Sequence, residues 1–208
     1  MYYGEKLNSI THLVGAVLAL IGFGALLTIS IQEQNPRLVL SFTVFGLTLI
    51  LLYTMSTLYH SFHSARLKKI FQKLDHVSIY LLIAGTYTPY MSVSLRESNG
   101  LIMLILIWVL AVIGLLLDIF LPKRIEWLQI LIYLVMGWVC TLNYTELQAA
   151  LPIAGMVWLT AGGIAYTAGI VFYVLDDMKK LRHAHGIWHL FVLSGSICHF
   201  ISIAAYIR

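Results

Sequence analysis

Apolar residues fall in seven long runs along this chain, at approximately 11–31, 38–60, 74–95, 100–121, 127–145, 153–175 and 185–207. Polar residues are concentrated in the short links between them: QEQNPR, SFHSARLKKIFQK, RESNG, PKRIE, ELQAALP and DDMKKLRHA. A helix needs about 20 predominantly apolar residues to cross a bilayer, because each residue adds about 1.5 Å against a hydrocarbon core about 30 Å thick. Every run meets that length, so the pattern predicts an all-α integral membrane protein, a bundle of seven transmembrane helices. No link can hold a soluble domain, and residues 1–208 are expected to form one unit. No small-residue cleavage pattern follows MYYGEKLNSI, so the first run is expected to be a retained helix and not a removed signal peptide.

Composition agrees with the pattern. The chain is 60% hydrophobic and 11% charged, with a mean hydropathy of +0.88, far from the balance of soluble domains. Cys140 and Cys198 both lie in apolar runs and read as small buried hydrophobes, not as a disulfide framework.

Charge adds direction. The net charge of +4 does not point to nucleic acid, because the basic residues sit in short clusters between apolar runs, as membrane orientation requires. With the N-terminus inside, the cytoplasmic segments hold Lys6; Arg66, Lys68, Lys69 and Lys73; Lys123 and Arg124; and Lys179, Lys180 and Arg182. That is ten of the thirteen Lys and Arg, leaving Arg37, Arg96 and Arg208 outside. Cytoplasmic loops carry the Lys/Arg excess, so the N-terminus is expected inside and the C-terminus outside.

On this map four titratable side chains fall at one depth. His60 ends the second run at the inner face, Asp75 begins the third as it leaves that face, and His185 and His189 begin the seventh. In HGIWH the two imidazoles stand at i and i+4, on one face of a helix, where both can reach one metal ion. A third ligand from another helix would leave the fourth position open to water, the pattern of a catalytic zinc site. Gly186 stands where HExxH has its glutamate, which excludes a soluble zincin. Ionisable groups are costly near lipid, so an intramembrane cluster reads as functional. His63, His76 and His183 fit unpartnered interfacial residues. His199 lies about 15 Å deeper than His189, too far to share an ion, and is expected to make an interhelical hydrogen bond.

STLYH at 56–60, KLDHVSIYLLIAGTYTPY at 73–90, HGIWHLFVLSGSICHF at 185–200 and EKLNSITH at 5–12 together resemble the hemolysin III family. That family is the bacterial branch of the progestin and adipoQ receptors, in a superfamily with alkaline ceramidases. The resemblance implies a zinc ion bound by His60, His185 and His189, with Asp75 contacting its water and Ser56 nearby. It also places Glu5, Asn8 and His12 at the inner mouth of the site, packing or hydrogen-bonding there. It implies a multi-pass protein of the plasma membrane whose partners are membrane lipids; oligomeric state stays open.

The chemistry this allows is hydrolysis. Zinc lowers the pKa of water to about 7 and polarises a carbonyl; Asp75 is placed to take the proton and Ser56 to face the developing oxyanion, although a helical serine more often bonds back to its own helix. A site at headgroup depth points to a lipid amide or ester. Three classes stay open: a zinc-dependent lipid hydrolase, a sensor with a structural zinc, and a lytic pore, the last disfavoured because only His199 is ionisable near the middle of any run. Elsewhere, Ala161, Ala165 and Gly169 read as a small-residue packing stripe. Tyr87 and Tyr90 around Pro89 read as a kink lining a cavity or as an interfacial belt. Asp118 reads as a partner for Lys123 or Arg124.

Overall fold

The computed structural model describes residues 4–121 and 124–208; Lys123 lies outside the described residues. Among the described residues eight α-helices follow one another: α1 Lys6–Gln32, α2 Pro36–Ser61, α3 Ala65–Pro89, α4 Gly100–Phe120, α5 Glu126–Trp138, α6 Tyr144–Ala150, α7 Ile153–Asp177 and α8 Ala184–Tyr206. A π-helical turn at Tyr90–Ser94 continues α3, and a 3₁₀ turn at Val139–Asn143 joins α5 to α6. Six rods are long and apolar enough to cross a membrane: α1, α2, α4, the broken rod Glu126–Ala150, α7 and α8. The third apolar run is also helical, but its helix begins at Ala65 and so carries Arg66, Lys68, Lys69 and Lys73 in its first turns. The link SFHSARLKKIFQK is therefore mostly helix: leucine, lysine and arginine are good helix formers, and only Phe62–Ser64 turns the chain. Likewise ELQAALP is largely α6 and not a loop.

Two helix breaks have visible causes. Pro89 lacks the amide that would continue the ladder, and the backbone widens into the π turn behind it. The α5 break is made by Tyr87 of α3. Its hydroxyl donates to the carbonyl of Met136 at 2.7 Å and accepts from the Cys140 amide at 2.9 Å, doing in part what the next turn of α5 would do. Tyr87 and Tyr90 are both buried, which selects the cavity-side reading over the interfacial belt.

Helices α2 and α3 occupy the centre, where Phe42, Phe45, Tyr53 and Tyr80 are fully buried. The outer surface is apolar: Ile21, Leu40, Leu101, Ile102, Ile153 and Val171 are exposed, which water would penalise and lipid does not. The close approach of α7 to α8 rests on Gly155, Gly162 and Gly169, each facing a large α8 side chain: Tyr206, His199, and Trp188 with Phe191. These glycines recur every seventh residue. Of the expected stripe only Gly169 is buried; Ala161 and Ala165 are half-buried. Both cysteines are free.

Candidate metal centre

The ends of α2 and α8 meet beside the start of α1. α2 ends as Phe62 turns extended, so His60 falls in its last turn. α8 starts one residue after His183, whose left-handed backbone (φ 63°) redirects the chain, so His185 and His189 project from its first two turns. The three imidazoles converge: ring centroids of His60 and His185 are 5.1 Å apart, His60 and His189 4.9 Å, and His185 and His189 4.7 Å. One ligand atom from each lies within 4.8 Å of the other two. His60 and His189 are 3% and 2% exposed, and His185 is half-buried.

Each ring has its Nδ1 already engaged. His60 Nδ1 donates to Glu5 Oε2 at 2.7 Å, His185 Nδ1 to Asp176 Oδ2 at 3.0 Å, and His189 Nδ1 to the Asn8 carbonyl at 3.2 Å. An acceptor at Nδ1 fixes the proton there and leaves Nε2 as a lone pair. His60 Nε2 is buried without any hydrogen-bond partner. Three neutral imidazoles offering Nε2, oriented by two carboxylates and a carbonyl, are the donor set that zinc takes, including the outer hydrogen bonds that aim its ligands. The chemistry of the donors therefore fits the metal.

Glu5, Asn8 and His12 each contact one of the three histidines. Burial would raise the Glu5 carboxyl, but its hydrogen bonds to His60 and Lys68 hold it down at about 2, so it stays a carboxylate. His12 stacks on His189 at 3.6 Å, with both ring nitrogens unpartnered. Asp176, in the last turn of α7, went unrecognised in sequence; its only signal was an acid nine residues before His185.

Above the histidines a cavity of about 320 Å³ runs between α2, α3, α5, α7 and α8. Ser56 and Asp75 line it, together with His185 and His189. Ser56 is buried with Asp75 as its side-chain neighbour, and its hydroxyl does not bond back to its own helix, unlike that of Thr57, which donates to the Tyr53 carbonyl at 2.6 Å. The commoner fate of a helical serine is not adopted here. Asp75 stands beside the triad without being one of its three converging groups. His76 is no bare interfacial residue: the Arg124 guanidinium lies 2.6–2.7 Å from its ring nitrogens, and both line the cavity mouth. Arg124 also approaches Asp118 at 3.5 Å, one of the two expected partners, but the pair is largely buried where the sequence predicts a solvated or snorkelling one. His199 bonds across helices to the Leu159 carbonyl at 3.2 Å and lines the deep end of the cavity.

A multi-helix membrane bundle with a three-histidine cluster beside a cavity of mixed polar and apolar lining defines a class of integral membrane proteins with a candidate metal site at one face. Residues 2–200 match the Haemolysin-III related family, and the chain belongs to it. It is 40% identical over 203 residues to Hemolysin-3 of Bacillus cereus, covering 98% of this chain and 91% of that one. It is 39% identical over 202 residues to the Hemolysin-3 homolog of Bacillus subtilis (strain 168), covering 97% and 93%. Monocyte to macrophage differentiation factor of Homo sapiens is 28% identical over 212 residues, covering 99% and 85%. The protein is thus a multi-pass cell membrane protein of the hemolysin III type.

Proposed function

We propose that the protein is a zinc-dependent hydrolase of lipid amide or ester bonds at the inner membrane face. The reading takes the N-terminus as inside, α3 as a seventh crossing, and His60, His185 and His189 as the ligands. The observation that carries it is the set of three Nδ1 hydrogen bonds on three imidazoles that converge beside a cavity, which leave Nε2 of each ring as the nitrogen free for a metal. Zinc held there would supply a Lewis acid and an acidified water. Asp75, on the cavity wall beside the histidines, would be the residue that accepts a proton. Ser56, whose hydroxyl is free of its own helix, donates to the oxygen that gains charge as the carbonyl is attacked. The cavity receives the lipid chain and excludes bulk water.

The ligand set is tested by metal content. Purified protein is expected to hold about one zinc per chain, and the His185→Ala, His189→Ala double variant none, while His63→Ala and His183→Ala keep it. Unchanged zinc in the double variant removes the reading. Zinc-loaded, folded wild-type protein that turns over no ceramide-like amide or phospholipid ester would leave the sensor with a structural zinc instead.

A further inference from the structure

The first turns of α3 carry two different faces. One faces the protein: Lys68 is ion-paired with Glu5, Gln72 donates to the Tyr59 hydroxyl at 3.2 Å, and Phe71 stacks on Phe62 at 5.1 Å. The other is open. Arg66, Lys69 and Lys73 stand at i, i+3 and i+7, a single row on a helix, and all three are exposed. Among the described residues none of them is ion-paired. Beside this row runs a second one, Leu67, Ile70 and Leu74, which are 38%, 46% and 41% exposed. Cations alone would suit water, and leucines alone would suit hydrocarbon. A ridge of each, on the part of the helix just before Asp75, suits the boundary between headgroups and acyl chains.

We propose that this outer ridge of α3 is a binding site for anionic phospholipids of the inner leaflet, with Arg66, Lys69 and Lys73 on the lipid phosphate and Leu67, Ile70 and Leu74 against the acyl chains. The apolar row is what selects a lipid over free phosphate. The site fixes the depth of α3, and with it the height of Asp75 in the membrane. It shares with the proposed function only the inward orientation of this face; lipid retention is read without zinc or turnover, so either can fail alone.

The test uses the full chain in nanodiscs of phosphatidylcholine with increasing phosphatidylglycerol, scoring the phosphatidylglycerol enriched around the protein. Wild type is expected to enrich it. The triple variant Arg66→Gln, Lys69→Gln, Lys73→Gln is expected to bind it about 100-fold more weakly, about 5-fold per cation. The triple variant Lys179→Gln, Lys180→Gln, Arg182→Gln removes equal charge from the same face and is expected to retain most of the enrichment. Should the α3 triple fail to fold, Lys73→Gln alone is expected to show the 5-fold loss. Inorganic phosphate at millimolar concentration is expected not to compete. Equal loss in both triples would reduce the effect to general charge and overturn the site, as would competition by phosphate or a wild type that enriches no phosphatidylglycerol.

Discussion

A hydrogen bond to the far nitrogen of an imidazole sets which nitrogen is free, so the residues that orient the three histidines are expected to tune the affinity of any metal they hold. Glu5 does this for His60 and Asp176 for His185. Glu5→Gln is expected to weaken zinc binding by 10–100-fold, the usual consequence of losing such a partner, measured by competition with a chelator. Asp75 should behave in the opposite way. It stands outside the converging ligand atoms, so Asp75→Asn is expected to keep the zinc while lowering lipid hydrolysis by 10²–10⁴-fold, as for a missing general base. If Asp75 were merely structural, the same variant would change melting by about 1–3 kcal/mol and leave any turnover intact. The residues proposed as catalytic, Asp75 and Ser56, and the three histidines that converge were candidates from the motifs STLYH, KLDH and HGIWH. The orienting partners were less legible, because a hydrogen bond between residues 5 and 60 leaves no periodic trace in either segment.

Helices α7 and α8 pack through glycines that leave room for α8 side chains. A methyl group at Gly162 would overlap the His199 ring. Gly162→Ala is therefore expected to cost about 1–3 kcal/mol, as overpacking does, and to break the His199 bond to Leu159. Ala161→Gly, on the half-buried face, should cost only helix propensity, about 1 kcal/mol. Thermal unfolding of the two variants in detergent compares them. The choice between the alanine row and the glycine row was invisible in sequence, since both have helical spacing and only the position of α8 says which row is covered. The α5 break was hidden for the same reason: Tyr87, fifty residues away, supplies its hydrogen bonds.

At the level of the whole molecule, the Lys and Arg distribution carries the topology. If seven crossings with the N-terminus inside put ten of the thirteen on the cytoplasmic side, a cysteine placed in residues 176–184 is expected to be shielded from an impermeant thiol reagent in intact cells, while one appended after Arg208 is labelled; the reverse pattern would invert the orientation and move the histidine site to the outer face. The sequence by itself determined the helical membrane class, the approximate helix positions and the residues able to bind metal, because these follow from run length, from the cost of burying polar groups, and from i,i+4 spacing. Only the tertiary structure decided that His60 meets His185 and His189, that each Nδ1 has an acceptor, and that Ser56 faces a cavity beside Asp75. Those are relations between helices distant in the chain, fixed by how their side chains interlock, and no local pattern in the sequence records them.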